Sequence, residues 1–239
     1  MKPDAAEVRR MCGKASDVAA SVGAQERARF AETIGAALGK VDPLDWQTRR
    51  EASRTLMSLF PESRPVLEHL LETSGGRSSY ETQFTLMVYM GGDGESGEFI
   101  DWAVAILGKY LHNVRSGTAR AALQAGDTLG QHFPLPKAFP VLIRAMRSAR
   151  FIAGRWAAVA ALSDLVGRLS DRELRVVRSV AQRLTLVERS SIQRENLAYL
   201  KRMTGPRARR AGPDQLEMDL KRELEKMRAK IKELNQEVD

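Results

Sequence analysis

The chain has 239 residues, 43% of them hydrophobic and 28% charged, with one cysteine and a formal net charge of +8. Such a length accommodates one large domain, or a domain with an appendage, and buries a full core without disulfide or metal staples. The lone Cys12 excludes an internal disulfide, the charged opening from Met1 to Lys14 lacks a signal peptide's apolar run, and no stretch of about 18 apolar residues spans a bilayer, so the expected setting is the reducing cytoplasm without membrane contact.

Charge is segregated along the chain. Residues 1–100 hold 12 basic and 15 acidic side chains, net −3; residues 101–203 hold 17 and 7, net +10; residues 204–239 hold 9 and 8, net +1. A basic middle favours acidic partners: nucleic acid, an acidic protein face or anionic lipid.

Nearly every segment between Gly or Pro breaks repeats its apolar residues at the 3.6-residue period, and alternating β-branched runs are scarce, so the fold class is all-α. In chain order the predicted helices cover about residues 5–20, 25–39, 44–60, 64–73, 79–90, 97–112, 117–131, 136–148, 151–168, 171–187 and 189–203. In the first, Cys12 shares an apolar stripe with Val8, Ala15 and Ala19, the setting of a buried structural thiol rather than a reactive one. Ser74 to Ser79 reads as an interhelical connection, as does Gly91-Gly92-Asp93-Gly94-Glu95-Ser96-Gly97. The latter lacks the Gly-Lys-Ser/Thr ending of a phosphate loop, and its two acids repel phosphate while offering too few oxygens for calcium. In the helix at 171–187, Leu174, Val177, Val180, Ala181, Leu184 and Val187 fall on one arc and Arg172, Arg175, Arg178 and Arg183 on the other, with Asp171 placed as the cap.

His69, His112 and His132 are dispersed, and no carboxylate pair is marked as an acid/base couple. No catalytic residue, cofactor or metal is therefore expected, and the chain reads as a non-enzyme.

A weak internal repeat runs through the helices. Arg50-Glu51-Ala52 with Leu56 and Leu59, Arg120-Ala121-Ala122 with Leu129, and Arg155-Trp156-Ala157-Ala158 with Leu162 and Leu165 share an arginine, small residues and late leucines, their starts 70 and 35 residues apart. Near residue 85 the pattern is replaced by Thr85-Leu86-Met87, so one unit is degenerate or absent. Over residues 45–203 this resembles the HEAT and armadillo class of helical repeats, and the resemblance implies a right-handed α-solenoid of stacked helix pairs over residues 1–203. The HEAT-like DNA glycosylases are similar in length and basicity, with Asp101-Trp102 and Arg155-Trp156 as the candidate site residues. The rest of the sequence does not match that family, and 6% aromatic content is poor material for base stacking, so the activity is not carried over.

Arg144, Arg147, Arg150 and Arg155, followed by Arg168, Arg172, Arg175 and Arg178, lie at helical or near-helical spacing. Side by side on stacked helices they would line an acidic protein groove or neutralise phosphates. After Met203 the stretch 204–213 carries Arg207, Arg209 and Arg210 between Gly-Pro breaks and reads as a basic linker.

Beyond the linker, residues 214–239 carry Leu220, Leu224, Met227, Ile231, Leu234 and Val238 at spacings of 4, 3, 4, 3 and 4, an unbroken heptad seam. Leu224, Ile231 and Val238 at a with Leu220, Met227 and Leu234 at d favour a parallel dimer, and three heptads of only about 30 Å leave it marginal without a partner helix. The expected function is a non-catalytic scaffold or adaptor joining proteins through a basic solenoid face and a C-terminal coiled coil. The alternative is a nucleic-acid-binding subunit that grips phosphates without reading bases.

Overall fold

The computed structural model describes residues 5–18, 21–38, 40–42, 44–73, 76–91, 96–114 and 119–205. Arg207, Arg209, Arg210 and the heptad residues Leu220, Leu224, Met227, Ile231, Leu234 and Val238 lie outside these described residues. The chain divides into two units, Met1–Arg168 and Leu169–Asp239, a boundary inside the region read from sequence as one repeat domain.

Among the described residues there are eleven α-helices and no strand. In the first unit they are α1 (Ala5–Val18), α2 (Ala24–Leu38), α3 (Trp46–Ser58), α4 (Arg64–Glu72), α5 (Gly76–Met90), α6 (Gly97–Asn113), α7 (Ala119–His132), α8 (Leu135–Ser148) and α9 (Ile152–Asp164). In the second they are α10 (Asp171–Val187) and α11 (Ser191–Met203). Local chemistry sets the ends. The Asp45 carboxylate accepts the Thr48 N–H at 3.0 Å and starts α3 two residues later than its apolar pattern suggests. The predicted helix at 151–168 stops at Asp164 and is followed by a separate 3-10 turn, Val166–Arg168.

The first unit is built of two rows. The odd-numbered helices α1, α3, α5, α7 and α9 each pack on the next member of that row, and α2, α4, α6 and α8 do the same beside them. The odd row carries its core at adjacent pairs of positions: Ala52/Ser53 and Leu56/Met57 on α3, Thr82/Gln83 and Leu86/Met87 on α5, Ala121/Ala122 and Ala125/Gly126 on α7, Ala153/Gly154 and Ala157/Ala158 on α9. A stripe two residues wide, repeated every four, covers two flanks of a helix and suits an element with a neighbour on each side. The degenerate stretch at Thr85-Leu86-Met87 is thus no gap in the packing: α5 stands between α3 and α7, filling its place with larger side chains.

Glycines mark where helices come closest. A Cβ at Gly126 would lie 2.8 Å from the Ala157 carbonyl oxygen, so α7 and α9 meet backbone to backbone. One at Gly154 would overlap the Leu111 carbonyl at the end of α6. In the even row, Val66 of α4 sits against Gly35 of α2, and Val141 of α8 against Gly108 of α6, the same notch used twice.

Buried polar groups close what the helix ends leave open. Gln83 of α5 is 3% exposed and its amide donates to the carbonyls of Leu71 at 3.0 Å and Thr73 at 2.8 Å, orphans of the α4 C-terminus. Its oxygen accepts the Tyr110 hydroxyl of α6 at 3.0 Å. The Thr128 hydroxyl of α7 donates to the Met87 carbonyl of α5 at 3.0 Å.

In the second unit α10 and α11 pack on each other across the short Glu188 to Ser190 turn. Ser170, not Asp171, is the cap of α10: its hydroxyl accepts the Glu173 N–H, and the Glu173 carboxylate accepts the Ser170 N–H at 2.8 Å, a capping box. Leu174, Val177, Val180 and Ala181 are buried as the periodicity implies, Leu184 is half-buried, but Val187 is 72% exposed because the chain turns away there.

Candidate interaction surfaces

The arginines singled out by spacing separate into two kinds once their partners are seen. On α8, Lys137, Pro140, Arg144 and Arg147 are exposed at spacings of 3, 4 and 3, a single stripe opposite the buried Leu142, Ala145 and Met146. Lys137 forms an ion pair with Asp101 of α6. Arg144 and Arg147 have no carboxylate in ion-pair reach among the described residues. Arg150, also exposed, follows the α8 C-terminus, its backbone N–H donating to the His112 carbonyl at 3.0 Å and its guanidinium lying 5.2 Å from the Phe151 ring centroid.

Arg155 and Arg168 do structural work instead. Arg155 Nη1 donates to the Ala149 carbonyl at 3.0 Å, at the C-terminal end of α8, and Arg168 Nη1 donates to the Gly130 carbonyl at 2.9 Å, in the last turn of α7. Carbonyls left over at helix C-termini carry partial negative charge and attract cations. In the second unit, Arg172 and Arg175 are exposed on α10 and Arg178 is half-buried.

Beside the basic stripe, α4 and α6 enclose an open groove of about 680 Å³ lined by Arg64, Glu68, Glu72, Asp101, Trp102 and Lys109 among others. Its charges are largely paired. Glu68 accepts from Arg64 Nε at 2.9 Å and from Trp102 Nε1 at 2.9 Å. The Arg64 hydrogen bond holds the Glu68 carboxyl below its ordinary range, against the opposing effect of partial burial and with help from the Trp102 indole. Glu72 pairs with Lys109, and the hydrogen bond and charge of that carboxylate raise the lysine's pKa. Beneath the groove, Phe60, Phe99 and Trp102 stack with centroids 5.1 to 5.6 Å apart. These bonds brace α4, α6 and α8 together, and they occupy Asp101, Trp102 and Arg155, the residues a glycosylase comparison would need free.

A site that sequence spacing does not announce is Arg49 of α3, 1% exposed. Its guanidinium donates to the Asp42 carbonyl at 3.1 Å, to the Val41 carbonyl and to the Thr82 hydroxyl of α5. Burial lowers its pKa, and the charges of Glu81, Asp42 and Asp45 work the other way. The available signal is that Arg49 falls seven residues before Leu56, on the apolar face, whereas Arg50 falls outside it.

Cys12 is 3% exposed, and burial pushes its thiol up despite a hydrogen bond to Thr55. Desolvation and the like charge of Asp127 raise Asp164. Gly92 to Glu95 lie outside the described residues; the flanking Ser96 caps α6 by accepting the Phe99 N–H at 3.1 Å. Among the described residues no group of three or more His, Cys, Asp or Glu is placed to hold a metal ion, and no helix is long and apolar enough to cross a membrane. No protein-family model, curated protein or solved structure matches this chain.

Proposed function

We propose that the chain is a non-catalytic scaffold of the right-handed α-solenoid kind, which receives an acidic protein on its arginine-bearing helices and joins a second chain through the heptad seam of residues 214–239. The two rows of helices, with a core pattern that recurs on α3, α5, α7 and α9, support the solenoid part of the reading. The observation that carries the partner part is the α8 stripe, where Arg144 and Arg147 stand exposed with no carboxylate in ion-pair reach among the described residues, while the neighbouring Lys109 and Lys137 are paired. Arg150 extends that surface, and Arg172, Arg175 and Arg178 with Arg207, Arg209 and Arg210 supply further basic groups in the second unit. Guanidinium groups hold carboxylates by paired, directional hydrogen bonds, which suits an acidic peptide or helix face.

The test is fluorescence anisotropy with a labelled glutamate-rich peptide and with labelled single- and double-stranded nucleic acid, between about 50 and 200 mM salt. The peptide is expected to bind, and the Arg144→Glu/Arg147→Glu double variant to bind it at least about tenfold more weakly. Tighter binding of nucleic acid, falling steeply across that salt range, would replace this reading by phosphate-backbone binding. The second-chain part is tested by light scattering up to the highest soluble concentration: a mass above one chain that falls in Leu224→Glu/Ile231→Glu supports it, and a single-chain mass even there overturns pairing with a second copy.

A further inference from the structure

The described part of the second unit is a pair of helices with one face unfinished. Leu186 and Val187 at the end of α10 are 82% and 72% exposed, and Ile192 at the start of α11 is 67% exposed, all at the tip of the hairpin. Along the outer side of α10, Arg172, Val176, Ser179, Arg183 and Leu186 are exposed at spacings of 4, 3, 4 and 3, a heptad line that is basic at its start and apolar at its end.

The chain leaves this hairpin at Gly205 and continues for 34 residues. The eight linker residues that follow, 206–213, reach about 26 Å when extended, whereas helix axes in contact lie about 10 Å apart, so the linker suffices to return to the start of α10. The segment beyond the linker complements the outer line of α10 in order. Asp214, Glu217 and Asp219 open it without an intervening base, and the apolar seam runs on to Ile231, Leu234 and Val238. Arg172 and Leu186 are 14 residues apart, as are Glu217 and Ile231, about 21 Å of helix in each case. A helix running parallel to α10 therefore places acids beside Arg172 and Arg175 and its apolar end beside Leu186, Val187 and Ile192.

We propose that the outer face of the α10–α11 hairpin is a docking surface for the C-terminal segment 214–239 of the same chain. The inference rests on reading that segment as a heptad helix, and it adds a competition: the seam is covered in cis until a second chain displaces the hairpin. A short tether confers an effective concentration of about 1 mM, so covering in cis prevails in dilute solution.

The experiment uses the full chain with Cys12→Ala, Val187→Cys and Leu234→Cys and a short bismaleimide, at micromolar and at higher protein concentration. The expected product in dilute solution is a cross-link within one chain, which adding Arg172→Glu/Arg175→Glu slows by about tenfold and further adding Asp214→Lys/Glu217→Lys restores. Only chain-to-chain cross-links, in proportion to concentration, would overturn docking in cis while leaving the second-chain reading intact. No cross-link of either kind would overturn the docking surface. Light scattering keeps the two ideas apart: Val187→Glu/Ile192→Glu, with Cys12 retained and no cysteine added, is expected to raise self-association by uncovering the seam, and an unchanged or lowered mass would count against the docking.

Discussion

Arg49 shows how much one side chain can decide. Among the described residues it is the largest fully buried side chain, and three oxygens from two connected segments converge on it. Arg49→Ala removes one hydrogen bond each from the Val41 and Asp42 carbonyls and the Thr82 hydroxyl in a buried site, an expected loss of about 3 kcal/mol in urea unfolding. Ser170→Ala, which deletes one half of the α10 capping box, is expected to cost about 1 kcal/mol by the same measurement. Glu68 carries a pH dependence. Its folded pKa is depressed below the ordinary 4.5, so its contribution is present above that value and is lost as pH falls through the folded pKa. Glu68→Gln is therefore expected to flatten acid unfolding below about pH 4.5, read by thermal melts across pH.

At the scale of elements, the crossings between helices turn on what fits under a carbonyl. Gly154 of α9 lies against the Leu111 carbonyl and Gly126 of α7 against that of Ala157, so Gly154→Ala forces backbone apart and is expected to cost about 3 kcal/mol. Gly13 of α1 has open space where its Cβ would stand, and Gly13→Ala is expected to stabilise by up to about 1 kcal/mol through helix propensity alone. Urea titrations of both variants check the contrast; similar effects from the two would show that the α6–α9 crossing is loose. The arginine that begins the recurring pattern is used differently each time. Arg120 lies 4.0 Å from the Phe84 ring centroid and 3.6 Å from Glu81, tying α7 to α5, whereas Arg155 closes the turn after α8.

For the whole molecule, charge polarity is the property most open to solution experiments. The groove between α4 and α6 is acidic but internally paired, while the stripe on α8 beside it is basic and open. Reversing Arg144 and Arg147 is expected to abolish most peptide binding, whereas Glu98→Gln at the groove edge is expected to leave it within about twofold, because a long-range surface charge is screened within about 10 Å at 0.1 M salt. Anisotropy titrations of the two variants side by side check this.

The all-α class and the positions of the helices were legible in the sequence, because the 3.6-residue period and capping side chains act between residues close in the chain. Asp45, Ser96 and Ser170 set helix starts within one turn, and Leu174, Val177, Val180 and Ala181 are buried where periodicity puts them. The tertiary structure alone decided which arginines are exposed and which are spent. Arg144 and Arg155 look alike in sequence, but the carbonyl that Arg155 meets is left over at the end of a different helix. Arg168 finds its carbonyl 38 residues away, and Arg49 its hydroxyl 33 residues away. The place of α5 in its row was likewise settled by contact with α3 and α7, not by motif, since its Thr82/Gln83 and Leu86/Met87 pairs pack in the row where α7 carries only Ala121/Ala122 and Ala125/Gly126. Partners brought together over such separations are fixed by packing, and packing has no local period to read.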